Sequence, residues 1–227
     1  MGRLARIGSV EGYLGRPAGD GPWPAVIVIQ EWWGLNNHIE SIADRLAGLP
    51  EPYLAFAPDL YHGEMALMGD DAKATALTEK YGPSAAEDLF TTFDALKTHQ
   101  DCDGKVGSLG FCFGGRMSLV LGANRPVDAV CTFYGGGMQR IFDQLGTLKA
   151  PVLGLYGDQD KSIPKGTVEE FDRLLARSGI PHEVVIYPNS GHAFFRDNDP
   201  TTYRPEAARD AWERVQKFFA AHLRQRA

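Results

Sequence analysis

Apolar residues along the chain follow two rhythms. Continuous β-rich runs at residues 25–29, 52–57, 106–109, 129–134, 151–156 and 183–187 have the character of strands buried on both faces. Between them the apolar positions recur at helical spacing. One set is Ile39, Ile42, Ala43, Leu46 and Leu49, and a second is Ala86, Leu89, Phe90, Phe93 and Leu96. Val168, Phe171, Leu174 and Leu175 make a third, and Ala208, Ala211, Trp212, Val215, Phe218 and Phe219 a last one. Strands that alternate with helices predict an α/β fold, a mostly parallel central sheet with helices on both faces. Residues 1–227 are expected to form one domain, with no repeat, linker or low-complexity tract. Residues 6–14 suit one or two edge strands of a hairpin, because their glycines would weaken a central strand. Residues 61–83, with Met65, Leu67, Met68 and Leu77 in a polar setting, suit a short helix or a loop over a site.

Composition narrows the partners. The 227 residues are 44% hydrophobic and 23% charged, enough for a well-buried core. A net charge of −6 argues against a surface that neutralises nucleic-acid phosphates or anionic lipid, so a small-molecule partner is the natural expectation. The absence of a signal-like segment and of a long apolar run leads to an expected cytoplasmic location with no membrane partner. Cys102, Cys112 and Cys131 are odd in number and lack C-x-x-C spacing, which suggests neither a disulfide framework nor a metal site. Cys131 falls within a strand and Cys102 in a charged loop, both as small buried side chains.

Cys112 differs from them in its context. Gly110-Phe-Cys-Phe-Gly-Gly115 lies between a strand and a helix, and a residue flanked two positions away by glycines at such a turn has the frame of a nucleophile elbow. In parallel sheets ligands bind beyond the strand carboxyl ends. There the sequence places Glu31, Cys112, Asp160 and His192, in the chain order nucleophile, acid, histidine. Asp158 shares a turn with Asp160 and competes with it as the acid. Ser108 and Ser118 lack the glycine frame. His38, His99, His182 and His222 read as surface or capping residues, and His62 stays undecided.

Gln30-Glu31 before Trp32-Trp33-Gly34, Pro58-Asp-Leu-Tyr61, the cysteine elbow, Gly157-Asp-Gln-Asp160 and Gly191-His-Ala-Phe194 together resemble the dienelactone hydrolase family of α/β-hydrolases. The resemblance implies an α/β-hydrolase fold with a minimal cap and hydrolysis of a small-molecule ester or lactone, with neither metal nor organic cofactor. It also implies Cys112 as nucleophile, His192 as its base and Asp160 as the orienting carboxylate. The backbone N–H groups of Trp32 and Phe113 would form the oxyanion hole, and Glu31 would hold the resting thiol. Arg196 would meet a substrate carboxylate, in a pocket shaped by Trp33 and Tyr134. The family's second substrate-binding arginine has no counterpart between Arg45 and Arg116, where Lys73, Lys80 or Tyr81 could replace it. A general carboxylesterase or thioesterase, and a binding protein without turnover, are the alternative readings. Neither a monomer nor a homodimer is favoured.

Overall fold

The N-terminal segment pairs with itself before it joins the sheet. In the computed structural model, which describes residues 2–224, β1 (Arg3–Ile7) and β2 (Val10–Gly15) form an antiparallel hairpin. Gly8 turns it with φ 59°, where a side chain would be strained. β2 then runs antiparallel to β4 (Leu54–Pro58), and from there every pairing is parallel. Along the sheet follow β3 (Trp23–Ile29), β5 (Cys102–Phe111), β6 (Ala129–Phe133), β7 (Val152–Gly157) and β8 (His182–Tyr187). The order β1-β2-β4-β3-β5-β6-β7-β8 keeps β3 and β5 central. All seven residues of β3 are buried, in accord with their unbroken apolar run.

Five α-helices connect the strands among the described residues: α1 (Asn37–Ala47), α2 (Asp71–Lys97), α3 (Phe113–Asn124), α4 (Lys165–Arg177) and α5 (Pro205–Leu223). A 3₁₀ segment spans Met138–Thr147. Neighbouring residues of β5 show that the helices cover both faces. A Cβ on Gly107 would touch Phe219 and Leu223 of α5, whereas the next residue, Ser108, bonds Ser118 of α3 at 2.6 Å. Successive strand side chains point to opposite faces, so α3 and α5 lie on opposite sides. No helix among the described residues is long and apolar enough to cross a membrane.

Two expectations change. Residues 61–83 do not stay apart as a short helix or loop: α2 begins at Asp71 and continues through Pro83 to Lys97. Proline removes one helix hydrogen bond. Buried Ala74 and Leu77 before it, and Ala85 and Leu89 after it, anchor both halves to the same core. Cys102 is the first residue of β5, not part of a loop, and it is buried.

Candidate active site

β5 ends at Phe111 and α3 starts at Phe113, so a single residue must turn the chain. Cys112 does so with φ 53° and ψ −112°. A side chain at positive φ is disfavoured by about 1–3 kcal/mol, so the surroundings must enforce it. Cys112 N–H donates to the Phe133 carbonyl at 3.0 Å, and the Cys112 carbonyl accepts from Gly136 N–H at 3.1 Å and Arg116 N–H at 3.3 Å. The glycines make room for the turn. A Cβ on Gly110 would collide with the Gly114 carbonyl, and one on Gly115 would stand 2.7 Å from the Phe133 carbonyl oxygen. The Cys112 thiol is free and half-buried.

The turn after β7 presents two aspartates to different partners. Asp158 is exposed and accepts from Ser190 N–H at 3.4 Å. Asp160 is buried; one carboxylate oxygen accepts from the N–H groups of Ser162 at 2.8 Å and Ile163 at 3.1 Å. Its other oxygen lies 2.7 Å from His192 Nδ1. Burial is the largest single influence on His192 and lowers its pKa. Interaction with Cys112 and the bond to Asp160 override it and raise the imidazole to about 10. Asp160 therefore takes one ring nitrogen, and the other is left for the thiol.

Glu31 lies just past the end of β3 and is fully buried. It makes no hydrogen bond to Cys112 among the described residues. Instead the Arg196 guanidinium meets it at two points, Nε to Oε2 at 3.1 Å and Nη2 to Oε1 at 2.9 Å. Arg196 is only 7% exposed, and its remaining nitrogen is 3.6 Å from Asp199. The fork that the resemblance assigns to a substrate carboxylate is thus filled by Glu31.

The N–H groups of Trp32 and Phe113 donate to no acceptor among the described residues. Trp33 packs edge-on against Trp32, with centroids 4.9 Å apart, and is buried in the core instead of lining an open wall. Tyr134 is also fully buried, with φ 36°, its ring 5.1 Å from His192 and its hydroxyl unpartnered. Burial first, then the Glu31 charge, raises the Tyr134 pKa well above the usual phenol range, so the hydroxyl stays protonated.

Other candidates fall away from the chemistry. Ser108 and Ser118 are buried and bonded to each other, and Ser118 also donates to the Cys131 carbonyl at 3.1 Å. Burial pushes the Cys131 thiol well up. Lys80 and Tyr81 both engage Glu64, the tyrosine at 2.6 Å. His38 is a correction. It is buried, not on the surface, because the loop after His192 lies over it, with Phe195 at 6.5 Å between ring centroids and Asp197 at 3.3 Å.

Residues 10–223 match the model of the dienelactone hydrolase family. The chain belongs to that family. A provisionally named carboxymethylenebutenolidase of Methylorubrum extorquens is 34% identical over 228 residues, covering 93% of this chain and 77% of the relative. A similarly named Escherichia coli K12 protein is also 34% identical, over 91% of this chain and 80% of its own. Among solved structures, a provisionally assigned dienelactone hydrolase from Klebsiella pneumoniae superposes with a TM-score of 0.87 at 32% identity, covering 98% of this chain and 99% of that one. A dienelactone hydrolase-like promiscuous phosphotriesterase from metagenomic libraries reaches 0.82 at 26% identity, covering 98% of this chain and 97% of its own. The architecture is therefore an α/β-hydrolase fold, and this dienelactone hydrolase family member is a carboxylic ester hydrolase acting on a lactone or ester.

Arg116 and Arg140 escaped the sequence reading. Arg116 follows the elbow motif directly; it is half-buried and its Nε has no hydrogen-bond partner among the described residues. The signal was the residue right after Gly115.

Proposed function

We propose that Cys112, His192 and Asp160 hydrolyse the lactone or ester through an acyl-thioester. The observation that carries this reading is the 2.7 Å Asp160–His192 bond, on an imidazole whose pKa is raised by Cys112 as well as by Asp160. His192 takes the thiol proton, and the thiolate sulfur attacks the carbonyl carbon. The oxyanion is held by the Trp32 and Phe113 N–H groups, each such donor contributing about 2.7–4 kcal/mol to the transition state. The C–O bond breaks and the leaving oxygen takes its proton from His192. In a lactone, that alcohol stays tethered to the acyl group. Once the sulfur is acylated its negative charge is gone, and with it the strongest upward influence on His192. The imidazole can then accept a proton from water, which attacks the thioester and frees the thiol.

In this reading the Glu31–Arg196 pair is the armed arrangement, with the carboxylate held away from the thiolate that it would repel. A resting arrangement with Glu31 on the thiol is its counterpart, by resemblance to the family. Three free cysteines, one of them a nucleophile, suit a reducing compartment, which supports a cytoplasmic location.

The test is rapid mixing with a p-nitrophenyl ester, together with intact-mass analysis of quenched protein. Wild type should give a burst of nitrophenolate and a mass increase of one acyl group at Cys112. Cys112→Ala should lose both, with turnover down by at least about a thousandfold. Equal turnover in the two proteins would overturn the covalent reading.

A further inference from the structure

We infer that His38 is a positioning residue for the reaction: its buried imidazole holds Asp197, and with it the loop that carries His192, at the height from which His192 reaches Cys112. The inference rests on the covalent reading above, because it concerns the alignment of that nucleophile with its base.

His38 is the second residue of α1, and Asn36 fixes the start of the helix by accepting from the His38 N–H at 3.1 Å and the Ile39 N–H at 3.2 Å. The residue is only 3% exposed. Its ring packs edge-on against Phe111, with centroids 6.1 Å apart, and lies 6.5 Å from the ring of Phe195. Phe111 directly precedes Cys112, and Phe195 stands three residues beyond His192. The two phenyl rings also stack on each other at 5.7 Å. One side chain therefore packs against both the segment that turns the nucleophile and the segment that presents its base.

Packing alone does not account for a histidine at this place. An apolar side chain would fill the aromatic surround, whereas the imidazole buries two nitrogens that have no hydrogen-bond partner among the described residues. Buried polar groups are nearly always paired, and leaving one unpaired is costly. Asp197 Oδ1 lies 3.3 Å from His38 Nδ1, while Arg45 engages the other carboxylate oxygen from the exposed side. An ionised carboxylate only accepts, so the nitrogen that faces it must carry the ring proton. Burial lowers the His38 pKa first; the charges of Glu31 and Asp197 oppose it, and those of Arg196 and Arg45 add to it. The ring is accordingly neutral at pH 7 and has one N–H to give. The distance suits a hydrogen bond and the alignment does not, a common state of catalytic hydrogen bonds before substrate binds. A small movement of the loop onto α1 completes the bond. Arg196, bonded to Glu31, ties down the middle of that loop, and the His38–Asp197 bond ties the next residue along.

The experiment follows p-nitrophenyl butyrate hydrolysis, and the pH dependence of Cys112 alkylation by iodoacetamide, in wild type, His38→Leu, His38→Asn and His38→Gln. Asparagine places an amide N–H where Nδ1 stands, and glutamine places one where Nε2 stands. In His38→Leu kcat should fall by between about tenfold and 100-fold, as loss of one hydrogen bond to a charged group or a displacement of about 1 Å allows, with KM little changed. Its apparent thiol pKa should rise, because a His192 drawn away from the sulfur stabilises the thiolate less. His38→Asn should recover most of both readouts, and His38→Gln should not. If His38→Leu folds poorly, the comparison of asparagine with glutamine still decides. Wild-type kcat in a folded His38→Leu, or glutamine restoring as much as asparagine, overturns the inference. The two readings fail separately. If Cys112→Ala still turns over the ester, the covalent mechanism is lost; if it is dead and the His38 variants behave as wild type, the positioning role alone is lost.

Discussion

His192 carries the most informative single-residue chemistry. Its pKa of about 10 is the sum of burial, which lowers it, and of the Cys112 and Asp160 charges, which raise it more. Removing the sulfur in Cys112→Ala deletes the first of the upward influences and leaves Asp160 alone against burial. The imidazole should therefore titrate well below its wild-type position, which NMR of the ring resonances will read directly. The same shift sets a pH dependence of stability. A histidine whose folded pKa is raised stabilises the fold fully below its unfolded value near 6.5, and loses that contribution as pH rises through about 10. Unfolding by urea between pH 6 and pH 10.5 should show wild type losing stability over that window. Cys112→Ala should lose less of it, and a parallel decline in both proteins would assign the loss to other groups.

Elements differ in how far their sequences announce them. β3 and β5 through β7 were legible because strands buried on both faces need unbroken apolar runs, and the elbow because its glycines have no other use: Gly110 and Gly115 each face a carbonyl that would meet a Cβ. α2 was legible only in its second half. Proline at 83 usually closes a helix, and the first half carries just Ala74 and Leu77 on its buried side. What carries the helix across is tertiary contact, which local sequence does not record. Pro83 is exposed, so its ring contributes nothing to packing while its missing N–H breaks one backbone bond. Pro83→Ala should restore that bond and stabilise the protein by roughly 1–3 kcal/mol, the interior proline penalty being about 3. The check is the urea midpoint at constant slope. A lower midpoint would show that the proline fits a bend that the packing requires.

At the scale of the molecule, the site is assembled by contacts that sequence spacing could not reveal. The loop bearing His192 is tied to the opposite half of the sheet through Arg196 and Glu31, 165 residues apart. Next along the loop, Asp197 meets Arg45 and His38 of α1. Sequence motifs identified each charged residue by type but not its partner, which is why Arg196 read as a substrate ligand. Burial is the largest influence on Arg196 and opposes its charge, yet Glu31, by its charge and its hydrogen bonds, raises the Arg196 pKa overall. Breaking such a buried pair from either side leaves an uncompensated charge and typically costs about 3–5 kcal/mol. Glu31→Gln and Arg196→Met should each lose stability on that order. The double variant should lose clearly less than the sum of the two, because the second substitution removes the charge stranded by the first. Urea unfolding of the four proteins closes this cycle. Strict additivity would mean that the two groups do not hold each other, and that the His192 loop is fixed over Cys112 by Asp197 and the aromatic packing beneath it instead.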